Sequence, residues 1–291
     1  MGEIISIQNL SMTYRSKIRQ GFFNSELTEV NALTNINLKI KAGEIFGILG
    51  PNGAGKTTLI KCLTTLLIPT SGTALVNGYD IKNEEKQVRA SIGAMLMGER
   101  GLYWKLTARE NLLYFAQLYS IPKNLRVERV NDLIKLLELE AYADRPVESY
   151  SSGQRMKVAF AKAMVHDPPI IFLDEPTIAM DVHGARKLKE IVKSLPKLGK
   201  TVIYTTHIMT EAEELCDQLA IIDKGEIIAC DTPSGIKKLS KGKKSIQIAG
   251  IIPDDIISIL QRVDGIHEVV FSEESKKQSL LNIIVSDAKM T

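Results

Sequence analysis

Eight consecutive residues, Gly50-Pro51-Asn52-Gly53-Ala54-Gly55-Lys56-Thr57, follow the spacing G-x-x-x-x-G-K-[ST]. A segment of this kind can cradle phosphates. Its glycines let the backbone fold tightly, so that successive N–H groups point at anionic oxygens. A helix starting here turns its positive end toward the same anion. Lys56 adds a mobile point charge for β- and γ-phosphates, and Thr57 offers a hydroxyl to Mg²⁺. A second constellation lies about 120 residues on. Ile170-Ile171-Phe172-Leu173-Asp174-Glu175 is four apolar residues ending in two acids. A buried strand would deliver Asp174 at its C-terminal tip, where it can hold Mg²⁺. Glu175 points differently and can polarise an attacking water as a general base. The first segment, with a strand before it and a helix after it, leaves little room for a chance glycine turn, whereas the second, taken alone, reads better as a strand ending in solvated charge. Together they describe a phosphate site with a metal ligand and a base.

These residues need elements to hold them. The apolar run Glu44–Leu49 reads as a buried strand leading into the glycine turn, and Gly55–Leu67 as the amphipathic helix after it. Ile4–Leu10 and Ile36, Leu38, Ile40 alternate with period two, as in a half-buried antiparallel edge sheet. Arg15–Val30, between them, reads as an inserted loop or short helix. Thr107–Tyr119 reads as a helix with a capping box, Thr107 at the N-cap and Glu110 three residues on. A second helix follows around Val127–Leu139, and the pair belongs to a helical subdomain at about residues 100–165. Pro168 and Pro169 end the next helix before strand Ile170–Leu173. Strand and helix patterns alternate to about residue 230, which predicts an α/β fold with a mostly parallel central sheet.

The character changes after Leu239. A solvated KGKK stretch at 241–244 precedes strand-like Ser245–Ala249, helix-like Pro253–Val263 and strand-like His267–Phe271 and Leu280–Val285. The expected division is a domain at 1–238 and a small β-α-β-β appendix at 239–291. The chain ends right after its last predicted strand, which reads as a truncation.

Composition narrows the function. The 291 residues carry 37 Lys and Arg against 34 Asp and Glu, a net charge of +3, with 5% aromatic residues. Neither a stacking surface nor a phosphate-tracking basic surface for nucleic acid is supplied. Three scattered cysteines, Cys62, Cys216 and Cys230, fit a reducing compartment and no metal spacing. The longest apolar stretches are strand-sized, far short of the ~20 residues of a membrane span. The N-terminus, MGEIISIQNL, carries an acid where a secretory signal is basic.

Tyr150-Ser151-Ser152-Gly153-Gln154, about twenty residues before Asp174, resembles a variant of the L-S-G-G-Q signature of ATP-binding-cassette (ABC) transporters. Tyr stands for Leu and Ser for the first Gly. The residues alone also permit a plain helix cap at Ser151 or Ser152. The resemblance covers about residues 4–238. It implies a P-loop NTPase of the ABC type, with a mixed central sheet, an antiparallel edge sheet and a helical subdomain. It implies that ATP is held by Gly50, Pro51, Asn52, Gly53, Ala54, Gly55, Lys56, Thr57 and Thr58, and that adenine stacks on Tyr14. Phe22 and Phe23 are minor rivals for the stacking role. It further implies that Ser151, Ser152, Gly153 and Gln154 reach the γ-phosphate bound on an opposite subunit, that Asp181 lies in a loop crossing the dimer interface, and that His207 contacts the γ-phosphate. Glu175 and His207 are then the catalytic residues, and Thr57 and Asp174 the Mg²⁺ ligands.

One position departs from the family pattern. Members usually carry a Gln between the cradle and the helical subdomain, in a loop that senses the γ-phosphate and touches the membrane partner. In Ile92–Gly101 there is none, and Glu99 is the nearest equivalent. Glu99 can still ligate Mg²⁺ or hold water, but it adds negative charge beside the phosphates. The segments Gly43–Gly47 and Arg109–Leu112 are most similar to drug and antibiotic exporters with six-helix permeases. The implied protein is an ATPase subunit at the cytoplasmic face of the membrane, peripheral, homodimeric with ATP, partnered by a separate permease chain and binding no nucleic acid. A soluble ABC-type ATPase acting on ribosomes or nucleic acid is the alternative; such proteins usually hold two cassettes or large inserts.

Overall fold

The alternating and the continuous apolar strands fall into different sheets of the computed structural model, which describes residues 2–20, 24–96, 101–239, 243–250, 256–260, 266–275 and 278–286. The chain divides into two compact units, Met1–Pro233 and Ser234–Thr291.

In the first unit the order is β1 (Glu3–Gln20), β2 (Asn24–Lys41), β3 (Ile45–Leu49), α1 (Lys56–Leu63), β4 (Ser71–Val76), β5 (Tyr79–Asp80), α2 (Glu85–Ser91) and β6 (Ile92–Met95). There follow α3 (Ala108–Leu118), α4 (Lys123–Leu136), α5 (Ser152–Met164), β7 (Ile170–Asp174), α6 (Val182–Ser194), β8 (Thr201–Thr206), α7 (Met209–Leu215), β9 (Gln218–Asp223) and β10 (Glu226–Asp231). One sheet has the order β2-β1-β4-β5 and is antiparallel. The other has the order β10-β9-β3-β8-β7-β6, parallel except for the β10–β9 pair. The parallel strands β7 and β8 are buried at every position, which is why they lack polar alternation. A shared core joins Ile5 and Ile7 of β1 with Phe46 and Ile48 of β3 and with Leu59, Ile60 and Leu63 of α1.

The segment Arg15–Val30 is not a loop or a helix. β1 and β2 stay paired outward through Tyr14↔Val30, Arg15↔Glu29 and on to Gln20↔Asn24. Arg15 and Glu29, both exposed, form a cross-strand ion pair of 2.8 Å. A two-stranded ladder is held by backbone hydrogen bonds, which any side chains can accompany, so it requires no apolar alternation in its sequence. Phe22 and Phe23 lie outside the described residues. Helix α1 is also shorter than the pattern predicts. It ends at Leu63, because the Thr64 hydroxyl donates to Ile60 O at 2.8 Å and Thr65 turns to a φ of 61°. α4 begins four residues before the predicted Val127, behind Pro122, which carries no helical N–H to satisfy.

α3, α4 and α5 lie in the chain between β6 and β7. The Thr107–Glu110 capping box forms at the start of α3, with bonds of 3.1 and 2.8 Å. α5 seats on the sheet at Gly93, where a Cβ would lie 1.9 Å from Ala163 O. Just beyond α5, His166 bonds Ile92 O through Nε2 at 2.9 Å and stacks on Tyr119 at 3.7 Å. Burial pushes its pKa down to about 4.

In the second unit, α8 (Pro233–Leu239) starts at the division and is followed by β11 (Lys243–Gly250), α9 (Ile256–Leu260), β12 (Ile266–Ser275) and β13 (Gln278–Ser286). The strands form an antiparallel sheet of order β11-β13-β12, a β-α-β-β arrangement as the sequence predicts.

Candidate active site

Three neighbouring parallel strands end at one edge, and each brings a different part of the site. β3 runs into the cradle, β7 ends in Asp174 and Glu175, and β8 leads to His207. Across β3 and β8, Leu49 pairs Thr206; across β7 and β8, Asp174 pairs Thr205. Parallel pairing in register thus converts distant sequence positions into one cluster.

The cradle depends on close approach. Gly55 sits at φ 109° with a Cβ position only 2.6 Å from Ala32 O, so no side chain fits there. Ala32, Pro51 through Thr58 and Glu175 line an open cleft with about 550 Å³ of empty space. Lys56 is buried and donates to Gly50 O at 2.7 Å and Pro51 O at 3.1 Å. Its ammonium also lies 3.1 Å from Glu175 Oε1. Tyr14, partly exposed, reaches the rim, its hydroxyl 3.4 Å from Thr58 Oγ1.

The two acids are held in different ways. Asp174 is fully buried; its Oδ2 accepts from Thr57 Oγ1 at 2.8 Å and its Oδ1 from Thr205 Oγ1 at 2.7 Å. A hydroxyl and a carboxylate are hard oxygen donors suited to Mg²⁺. No group of three or more His, Cys, Asp or Glu is arranged for a metal among the described residues. Two protein oxygens suit a cation that takes its remaining ligands from phosphates and water. Glu175 stands at a φ of 48°, a left-handed conformation that costs a side chain about 1–2 kcal/mol. Its N–H donates to Thr205 Oγ1 at 3.0 Å. The turned backbone presents one carboxylate oxygen to Lys56 and the other to His207 Nδ1, at 2.8 Å.

Ser151 through Gln154 open helix α5. Ser151 is the N-cap: its Oγ accepts from Gln154 N at 3.2 Å while Gln154 Oε1 accepts from Ser151 N at 2.9 Å. Ser152 Oγ donates to Ala179 O at 3.1 Å, which ties this helix start to the loop before Asp181. Asp181 caps α6, accepting from Gly184 N at 2.6 Å. Ser151, Gly153, Gln154 and Asp181 border a second hollow; none of them lines the cradle cleft. Glu99 lies outside the described residues. Sequence reasoning missed Ala32, which shapes the cradle through its backbone, and Thr205, which orients both acids. The run Thr205-Thr206 at a strand end, beside a histidine, was the available signal for the second.

A family model for the ABC transporter matches residues 33–178. The chain belongs to the ABC transporter family. It is 40% identical over 206 residues to the ABC transporter ATP-binding protein NatA of Bacillus subtilis, covering 71% of this chain and 84% of that protein. It is 32% identical over 271 residues to the Nod factor export ATP-binding protein I of Neorhizobium galegae, covering 92% and 74%. It is 37% identical over 213 residues to the linearmycin resistance ATP-binding protein LnrL of Bacillus subtilis, covering 73% and 68%. Among solved structures, the dimeric, post-hydrolysis ATP-binding cassette MJ0796 bound to ADP and Pi superposes with a TM-score of 0.69 at 30% identity, covering 79% of this chain and 98% of that one. This ABC protein is accordingly an ATP-binding ATPase cassette of a transporter. Among its described residues no helix is long and apolar enough to cross a membrane.

Proposed function

We propose that this ABC ATPase powers export through a separate membrane permease, closing as an ATP-bound homodimer at the cytoplasmic face of the membrane and opening on hydrolysis. What carries the reading is the separation of its two anion-binding elements. The segment Ser151–Gln154 does not line the cleft of its own chain, so a signature that touches the γ-phosphate has to come from a second copy. A two-fold pair supplies both cleft and signature twice. The names of two relatives, one of Nod factor export and one of linearmycin resistance, support the outward direction.

In this reading Lys56 and the cradle N–H groups hold the β- and γ-phosphates, and Tyr14 stacks on the adenine. Thr57 and Asp174 would hold Mg²⁺, which when bound would supply positive charge to offset that of the phosphates. Glu175 leaves Lys56 as the triphosphate arrives and accepts a proton from the attacking water. His207 orients the Glu175 carboxylate and the γ-phosphate. Closing the site requires both copies, and loss of the γ-phosphate removes the shared ligand. A groove bordered by Leu66, Ile92, Phe115, Leu118 and Tyr119, with Leu66 and Leu118 exposed, suits a short amphipathic segment of the permease.

Sedimentation of Glu175→Gln with saturating Mg-ATP tests the pairing. The expected mass is about twice that of the monomer, falling to the monomer without ATP. Replacing Ser152 with Glu in the same background should abolish the shift, since the added charge repels the phosphate across the interface. A strictly monomeric Glu175→Gln under both conditions would leave a solitary ATPase. Co-purification with a six-helix permease from membranes tests the partnership.

A further inference from the structure

One buried carboxylate near the site has no part in the reading above. Glu211, in the first turn of α7, is 9% exposed and touches neither the cradle nor the Asp174 carboxylate. It accepts three hydroxyl bonds: from Thr177 Oγ1 at 2.9 Å, from Thr206 Oγ1 at 2.9 Å and from Tyr204 OH at 3.2 Å. A carboxylate is the side chain that can take all three donors at once. The donors come from two different segments. Thr177 is two residues past Glu175, in the loop leading to Asp181. Tyr204 and Thr206 belong to β8, and Thr206 immediately precedes His207. Thr206 Oγ1 also accepts from Ile208 N at 3.0 Å, so the peptide on either side of His207 is pinned by the same hydroxyl that Glu211 holds.

We propose that Glu211 is a positioning residue for ATP hydrolysis: it clamps the loop after Glu175 to the strand before His207 and so sets the Glu175–His207 hydrogen bond, acting through Thr177 and Thr206. The inference rests on the assignment of Glu175 and His207 as the reacting pair. Its physical basis is leverage. The Glu175 backbone stands in a left-handed conformation, so the carboxylate direction depends on what the following residues are bonded to. The 2.8 Å contact to His207 Nδ1 joins two side chains on separate segments; Thr205 ties the strand to Glu175 itself, and Glu211 ties the residues beyond Glu175 and beside His207 to each other. A salt-bridged neighbour steadies the clamp from outside: Glu214, one turn on, accepts from Lys189 and Lys193 of α6 at 2.5 and 3.0 Å.

The test is steady-state ATP hydrolysis by the full chain, with ATP affinity and melting temperature measured for each variant. Glu211→Ala should lower kcat about 10–100-fold, on the order of the loss when an outer-shell partner of a metal ligand is removed, with KM within about threefold. Glu211→Gln should restore most of kcat, because the amide oxygen accepts two hydroxyls and the rotatable third hydroxyl can accept from the amide. Thr177→Val, nearly isosteric, should fall between, and should cost nothing further on a Glu211→Ala background. His207→Ala fixes the logic: Glu211→Ala should add little to it. If Glu211→Ala lowers only the melting temperature and leaves kcat at wild type while His207→Ala is impaired, the positioning role is overturned and the clamp is structural. If Glu211→Ala is too unstable to assay, a Thr177→Val with wild-type kcat overturns it equally. If His207→Ala itself hydrolyses ATP normally, the assignment beneath the inference falls instead, and the inference with it.

Discussion

Replacing Glu175 with Gln separates two things this carboxylate does. Lys56 and Glu175 are each 5% exposed and 3.1 Å apart. The amide keeps the shape and one acceptor but removes the negative charge from beside a buried ammonium. Lys56 retains Gly50 O and Pro51 O. The cost therefore lies near that of one hydrogen bond to a charged group, about 1.5–3 kcal/mol, below the 3–5 kcal/mol of stripping a buried ion of its partner altogether. For a folded unit of this size that is a drop of about 3–12 °C in the nucleotide-free melting temperature. Saturating Mg-ATP should reverse the order. The triphosphate supplies the missing negative charge in the variant, whereas in the wild type it has to displace Glu175 from Lys56. The nucleotide-induced rise in melting temperature is thus larger in Glu175→Gln. Phosphate release should fall about 10²–10⁴-fold with the loss of the base. Fluorimetric melts at low protein concentration, where pairing contributes little, and a phosphate-release assay read the two effects. Equal melting temperatures without nucleotide would refute the Lys56–Glu175 pairing as an energetic term. Unchanged phosphate release would refute the base.

Two further outcomes follow from buried titratable groups. His166 is held neutral, with a pKa pushed down to about 4 by burial, while an unfolded chain protonates it near 6.5. Between these values the unfolded state binds the extra proton, so stability falls as pH drops from 6.5 toward 4, by up to about 1.4 kcal/mol per unit. Denaturant melts at pH 7 and pH 5 should show a smaller loss in His166→Gln than in the wild type; identical losses would refute the assignment. Burial likewise pushes the Cys62 thiol up to about 11 and the Cys216 thiol up to about 12, while Cys230 is exposed. Brief maleimide treatment at pH 7.5, read by mass spectrometry, should label Cys230 and spare the other two until the protein unfolds.

The residues of the phosphate site were legible because their chemistry is local. Gly50 through Thr57 carry the cradle in one turn, and Asp174 and Glu175 follow one apolar strand. The groups that orient them were not, because they arrive through tertiary pairing. Thr205 matters only because β8 lies beside β7, and Glu211 only because α7 folds back beneath the strand it follows. The left-handed backbone of Glu175 leaves no mark in composition, since the residue is a glutamate and not a glycine. The ribbon at 15–30 was misread for a related reason. Hydrophobic periodicity reports burial, whereas this pairing is carried by a backbone ladder that any side chains can form. Ser151 was legible twice over, as a helix cap and as a position of the family signature, and it does form a cap; Asp181 was legible only through the family resemblance, and its capping of α6 came from the structure.

The docking of α5 at Gly93 bears on how this chain reaches its fold. β6 and β7 are neighbours in a parallel sheet, yet residues 96–169 separate them, 74 in all. An ordinary parallel crossover needs only a dozen or so. Closing the longer loop costs about 1.5 kcal/mol more entropy if the intervening chain is disordered, at roughly 0.6 kcal/mol per doubling. That cost shrinks if α3, α4 and α5 assemble first and shorten the effective tether. The exit of this segment is already fastened to its entrance, with Ala163 against Gly93 and His166 on Ile92. In the native fold the two ends of the insert lie side by side. Such an insert can lengthen, shorten or be exchanged for another without shifting the register of β6 on β7, so long as Gly93 and the residues that meet it stay small.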